Sequence, residues 1–490
     1  MSLSSLPPEL YSAIIEQITS ECLQQSLLSL TRALPSAPIP LHFLFQSVTF
    51  TRSEQAPSLI RRLLKPDGGE VALYVQELSL HNQWTVDAEV MVNLLRKLPK
   101  LRSLSLCIGT NFAPEHLKAI FERPLPELKY LSLRFRPYVQ RATYQQFLSG
   151  SYFDSTLACL AKWPESNLPT LSIVQEPMDP AQAPKVAFAQ PIVFFRLDWH
   201  LSDLAQSPYL STLTSLRLRI PSRPVAGPIT TSPLSLPAVE LLDLSTCNVF
   251  GAELTDTILA RLTKLKHLIL DNGALLRGEY HAEDWAVLGK GCALAGVKRT
   301  KAREKILRQA RLEPAPAVPA TAECRPRRGR RGVSTATISL RASPPRDARA
   351  VAANTALAAT ALRKVRLYPA SPSLCSFATT LPPGVPRDKH AEIRAQFEKG
   401  WFEGLAQLVE VRARLYQSYR LGSTIMKFAD VLDDEVDGSE EGLDGLVEVS
   451  NWEDDVDIKA PVLCLVGPGK SEAHEPGCAH SVAWTVWKEF

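Results

Sequence analysis

The chain has 490 residues, 45% hydrophobic and 22% charged, a composition that excludes a collagen-like or wholly disordered polymer and gives room for about two to four domains. Its net charge of +4 conceals two opposed blocks: residues 298–366 hold 18 Lys/Arg against 4 Asp/Glu, and residues 430–457 hold 13 Asp/Glu with no Lys or Arg. Proline is in excess, 38 residues, which predicts many loops and at least one long linker. No apolar run approaches the roughly 20 residues needed to cross a bilayer. The absence of Lys or Arg before Arg32 argues against a secretory signal or mitochondrial presequence. Nine cysteines at irregular gaps, without Cys-x-x-Cys, argue against a disulfide framework and against zinc-finger spacing. The expectation is a soluble protein of the cytoplasm, the nucleus or both, without membrane contact.

In chain order, residues 3–18 open with Leu6-Pro7-Pro8-Glu9-Leu10. The prolines suit a helix start, and Glu9 in the first turn suits the helix dipole. Leu10, Ile14, Ile15 and Ile18 then make one apolar stripe. A second helical stretch, Leu23 to Leu30, precedes the Pro-rich segment 35–40, then Phe43, Phe45 and a strand-like Ser47-Val48-Thr49-Phe50.

A repeat organises the middle. The pattern apolar-x-x-apolar-x-apolar recurs at Val75-Leu78-Leu80, Leu101-Leu104-Leu106, Leu128-Leu131-Leu133 and Leu168-Leu171-Ile173. It continues at Ile192-Phe195-Leu197, Leu213-Leu216-Leu218, Val239-Leu242-Leu244 and Leu265-Leu268-Leu270. The intervals are 26, 27, 40, 24, 21, 26 and 26 residues, so the longest requires an insertion, placed at 134–167. Between the copies lie helical spacings, such as Val90, Leu94, Leu95 and Leu98, or Leu254, Ile258, Leu259 and Leu262. A further helix opens at Pro114 and carries Leu117, Ile120 and Phe121. Each unit reads as strand then helix; none can bury its leucines alone, so the copies stack into a solenoid with parallel strands on one side and helices on the other. Cys247 cleanly fills the Asn/Cys position that closes the repeat turn.

The leading segment resembles an F-box, matched at Leu6, Pro7, Glu9, Leu10, Ile14, Ile15 and Ile18, with Phe43 or Phe45 where that family has a late tryptophan. An F-box followed by leucine-rich repeats is the layout of F-box substrate receptors, and the segment from Trp285 to Arg299 is similar to fungal F-box proteins. The resemblance implies an α/β chain: all-α F-box-like helices at 1–50, an irregular leucine-rich-repeat solenoid at 71–297, and a partly disordered tail. It implies a non-enzymatic subunit of a ubiquitin ligase. The seven F-box residues would bind a Skp-type adaptor and, through it, a cullin, while the repeats hold an unknown protein substrate. A non-catalytic repeat scaffold without ligase attachment is the alternative.

The tail divides into a basic linker at 311–366, without aromatic residues and expected to be disordered, a helical segment at 367–428 and an acidic tail at 429–490 with a short strand. Ile393, Phe397, Trp401, Leu405, Leu408 and Leu415 form the apolar face of a helix over 388–420 that is expected to pack back on the repeats. The arginine cluster 325–331 lacks interleaved aromatics, so a solvated linker is expected rather than a nucleic-acid contact.

The remaining chemistry-like motifs fail on their own terms. Val462 to Ser471 looks like a strand entering a phosphate loop, but Cys464 stands where the first glycine belongs, and Pro476 and Gly477 leave little room for a helix. His474-Glu475-Pro476-Gly477-Cys478 echoes His-Glu-x-x-His with the second histidine replaced. With His480 beside it, a Cys/His metal cluster is one reading and a surface turn the other; the turn is the expectation, with no metal and no cofactor. Gly289-Lys290-Gly291 opens no dinucleotide fingerprint, and no catalytic constellation is found.

Overall fold

The computed structural model describes residues 6–40, 42–66, 68–80, 84–136, 152–177, 193–232, 235–273, 282–312, 365–381, 386, 389–429, 445–449, 452, 458–469 and 473–487. The chain divides into two compact units: Met1–Cys292 with Pro372–Phe402 and Ile458–Phe490, and Ala293–Ser371 with Glu403–Asp457.

The first unit opens with helices α1 (Pro8–Ile15), α2 (Ser20–Ala33) and α3 (His42–Gln46), closed around Tyr11, Ile15, Leu27 and Ile39. Gln24 Nε2 donates to the Ser47 carbonyl at 2.7 Å, tying this helical head to the first strand. A parallel sheet of ten strands follows, in the order β1 (Ser47–Phe50), β2 (Glu77–Leu80), β3 (Ser103–Ile108), β4 (Tyr130–Phe135), β5 (Thr170–Gln175), β6 (Ser215–Arg219), β7 (Leu241–Asp243), β8 (His267–Ile269), β10 (Ser376–Ala378) and β13 (Val462–Cys464). Helices alternate with the strands, as in Gln55–Leu63, Ala88–Leu95, Pro114–Phe121, Asp154–Leu160 and Leu197–Ala205, each packed on the next. This is a repeat-like α/β solenoid.

The register explains why the leucine pattern recurs. Leu78, Leu104, Leu131, Leu171, Leu216, Leu242, Leu268, Phe377 and Leu463 stand side by side in one buried row. Each leucine removes its neighbours' side chains from water, so only the stacked array gains the burial. Cysteines close two rungs in the same way: Cys107 Sγ donates to the Leu80 carbonyl at 2.9 Å, and Cys247 Sγ to the Leu218 carbonyl at 3.2 Å.

Three expectations change. Ile192-Phe195-Leu197 is not a strand: Ile192 lies outside the described residues, Phe194 packs edge-on to Phe135 at 5.1 Å, and Leu197 opens a helix. The Phe195 and Arg196 N–H groups donate to the Asp154 carboxylate, at 3.0 and 2.8 Å, in place of a ladder partner. The sheet also outruns the stretch 71–297 at both ends, starting at Ser47 and finishing at Cys464, because β10 and β13 supply buried Phe377 and Leu463 to the leucine row. Of the linker expected at 311–366, residues 311–312 end a helix, Ala295–Leu312, and 313–364 lie outside the described residues.

The expected tail helix is present as Lys389–Arg420. Its first part belongs to the first unit, where its backbone meets the helix Ala282–Ala293 at glycines: a Cβ on Gly289 would overlap the Phe397 carbonyl, and one on Gly400 the Ala286 carbonyl. The glycines of 289–291 thus serve helix contact. The second unit holds a small sheet in which β9 (Arg366–Leu367) runs parallel to β11 (Ile425–Phe428), and β11 antiparallel to β12 (Leu446–Glu448). Its cores gather Leu307, Leu367 and Leu446, and separately Leu415, Ile425 and Val449. Tyr368, Tyr416 and Tyr419 ring Trp452 at 5.0–5.5 Å. The tail therefore contributes β9, β11 and β12 as well as a helix, and part of the acidic block is a strand. Among the described residues, no helix is long and apolar enough to cross a membrane.

Candidate functional site

The seven residues singled out at the start of the chain separate into two sets. Ile15 faces inward at 1% exposure in the head's own core, next to Tyr11, a residue outside the seven, and Leu6 packs against that core from the side. Leu10 and Ile14, one helical turn apart, face out at 49% and 50% exposure. Pro7 and Glu9 are exposed beside them, and Ile18 is half-buried. The stripe divides between two faces of α1, one closing the head and the other exposed, and Ile18 lies beyond the end of the helix. Leu28, exposed on α2, adds a third large apolar side chain to the head's surface. Phe43 packs against the head's core.

The second surface is the strand face opposite the leucine row. Successive strands place Ser79, Ser105, Ser132, Ser172, Arg217, Asp243, Ile269, Ala378 and Cys464 in register there. At β2 and β3 this face is small and polar, and Ser79 and Ser105 are half-buried. From β4 onward it is capped. The C-terminal helix Ala479–Val486 and Trp487 pack on Tyr130, Leu241, Ile269, Ala378 and Cys464.

Under that cap lies a buried charge network. Asp243 accepts from Arg217 Nε at 3.0 Å, Arg219 Nη2 at 2.8 Å and Ser245 Oγ at 2.6 Å. Burial pushes its carboxyl up, but the Arg219 and Arg217 guanidiniums outweigh that and hold it down at about 2. One rung on, Asp271 Oδ1 accepts from Thr380 and Asp271 Oδ2 meets His480 Nε2 at 2.8 Å. These contacts are structural: the carboxylates are consumed by arginines, hydroxyls and an imidazole that also hold the cap.

The phosphate-loop echo resolves as strand β13 leading into a turn, with Gly467 at φ +90°, and the next described helix begins only at Ala479. The expected surface turn is present at Glu475–Gly477, which is exposed, but Cys464, Cys478 and His480 around it are buried. Sequence reasoning placed these residues near one another along the chain without placing them under the sheet's cap.

No family model and no curated protein matches the chain. Among solved structures it is similar to one titled "Crystal structure of Rad7 and Elc1 complex in yeast", at 14% identity over 56% of this chain and 88% of that one, with a TM-score of 0.19, a likeness too slight to bear on fold or partners.

Proposed function

We propose that the chain is the substrate-recognition subunit of a Skp–cullin–F-box-type ubiquitin ligase. The observation that carries this reading is the outward pair Leu10 and Ile14 on a helix whose other face, Tyr11 and Ile15, already closes the head. Aliphatic side chains exposed at one turn's spacing on a helix are the anchors that a partner's apolar groove receives. The F-box resemblance names that partner as a Skp-type adaptor. The repeat-like solenoid following directly behind the head, taken as leucine-rich repeats, supplies the arm that holds a substrate.

In this role the chain makes no bonds. It acts by tethering, raising the effective concentration of a bound protein near a charged conjugating enzyme. Since the cap covers the strand face from β4 onward, we take the open part around β2 and β3, which carries Glu77, Ser79 and Ser105, as the substrate surface, with Arg136 over the Trp84 ring at 5.8 Å past the strand ends. Co-purification with a Skp-type adaptor tests the proposal. The wild type should retain the adaptor and the double variant Leu10→Asp, Ile14→Asp should lose it. Failure of the wild type to bind, or equal binding by the variant, refutes ligase attachment and leaves a repeat scaffold.

A further inference from the structure

We propose that Cys464, His474, Cys478 and His480 form a four-coordinate zinc site that pins the C-terminal helix into the strand face of the solenoid. The four side chains come from three places: the end of β13, the turn after it, and the first turn of the helix Ala479–Val486. Their ligand atoms all lie within 4.8 Å of one another. Cys464 Sγ is 3.4 Å from Nδ1 of both His474 and His480, and Cys478 Sγ is 3.6 Å from Nδ1 of His474. A tetrahedron with Zn–S near 2.3 Å and Zn–N near 2.05 Å has S···N edges of about 3.6 Å. Three of the six edges, each between a sulfur and an Nδ1, are therefore close to the length such an ion needs, and the other pairs lie within 4.8 Å.

The outer contacts decide which ring nitrogens face the centre. His480 Nε2 is 2.8 Å from Asp271 Oδ2, and His474 Nε2 is 2.8 Å from the Gly469 carbonyl. Each acceptor keeps the proton on Nε2, so both Nδ1 lone pairs point at the sulfurs, as in the carboxylate–histidine–zinc arrangement. Cys478 is the N-cap of the helix, and its sulfur accepts from the Ser481 N–H at 3.4 Å, which fixes the sulfur at the helix start. Two thiolates and two neutral imidazoles around Zn²⁺ sum to zero charge, which suits a site with Cys464, Cys478 and His480 buried. The intervening turn is anchored separately by Arg394, which pairs with Glu475 at 2.8 Å and donates to the Leu463 carbonyl at 3.0 Å.

The consequence is mechanical. Zinc ties the start of the helix to the last strand, and Asp271 carries the tie to the rung of β8. The capped half of the strand face then stays closed.

The test uses the full-length chain purified with a non-chelating reductant. Mass spectrometric metal analysis should find about one zinc per chain. Replacing zinc with Co²⁺ should give the strong visible bands of a tetrahedral site and near-ultraviolet thiolate charge transfer. Cys464→Ser combined with His480→Ala should lose the metal. Because that variant replaces two buried groups, His474→Cys provides a second arm: it should keep the metal and intensify the charge-transfer band. Hydrogen exchange on the metal-free wild type should show lost protection across Ala479–Val486 with the strands β3–β6 unchanged. A chain isolated without zinc whose Co²⁺ titration gives no tetrahedral spectrum, or a spectrum that Cys464→Ser with His480→Ala leaves intact, overturns the proposal.

Discussion

The guanidinium of Arg217 stacks 4.5 Å from the ring centre of Trp487 while its Nε donates to Asp243, so a strand cation is held between the cap's terminal aromatic and a buried carboxylate. This pairing couples the last turn of the chain to its middle. Trp487→Ala should cost about 3–5 kcal/mol, the usual range for emptying a buried aromatic site, and should open the capped strand face. Urea unfolding gives the first quantity, and limited proteolysis, with earlier cleavage near the C-terminal helix, checks the second.

Asp243 sets an acid limit on the same region. Its carboxyl is held at about 2 in the folded chain, below its ordinary value near 4. A depressed carboxylate contributes stability that is complete above the unfolded value and lost as pH falls toward the folded one, here between roughly pH 4 and 2. Asp243→Asn leaves two guanidiniums without their counter-charge and should destabilise by about 3–5 kcal/mol at neutral pH. Its stability curve should then be flatter than the wild type's between pH 4 and 2, measured by denaturant titration at each pH.

The glycine crossing gives a substitution with an inverted sign. An exposed helical Gly→Ala normally stabilises by about 1 kcal/mol. Here Gly400→Ala drives a methyl into the Ala286 carbonyl, so the two helix backbones must separate. The expected outcome is a loss of about 1–3 kcal/mol, read from the shift in denaturation midpoint.

On the head, the two faces of α1 should respond oppositely. Leu10→Asp with Ile14→Asp touches only exposed positions and should leave stability within about 0.5 kcal/mol. Ile15→Ala empties a core site and should cost about 2–5 kcal/mol. Thermal unfolding of the two variants separates a partner surface from a structural one.

Thiol chemistry offers a check on the rungs. Burial pushes the Cys247 thiol up to about 12, so it should resist alkylation at pH 8 in the native chain, whereas exposed Cys22 should react. Peptide mapping after iodoacetamide treatment, with and without denaturant, distinguishes them.

How much of this was legible follows from where each signal sits. The rungs from Leu78 to Leu268 were visible because each carries two inward aliphatic side chains and, apart from the 40- and 45-residue intervals on either side of Leu171, neighbouring copies recur every 26 or 27 residues. Ile192-Phe195-Leu197 imitated that spacing but lacked a ladder partner, since Asp154 takes its N–H groups. The rungs at Ser376–Ala378 and Val462–Cys464 were obscured because each stands alone after a long excursion; Ser376 meets His267 across 109 residues. The α1 stripe was legible, but not its division into an inward Ile15 and an outward Ile14, which depends on where α2 packs. The Cys/His grouping appeared in the sequence as fragments, and only the approach of Asp271 and Cys464 to the helix start brings its geometry together.

The late arrival of those two rungs has a consequence during synthesis. When Ile269 leaves the ribosome, β8 presents a bare parallel edge; β10, which pairs with it, lies more than a hundred residues downstream, and β13, which covers the edge of β10, comes later still. At about 5–20 residues per second, the roughly 200 residues up to Cys464 take on the order of 10–40 s to emerge. Through that interval the half-built sheet carries unpaired N–H and C=O groups of the kind that recruit other chains. Nascent chains halted between Ile269 and Ser376 should therefore hold holdase chaperones, and release them once Cys464 has cleared the exit tunnel.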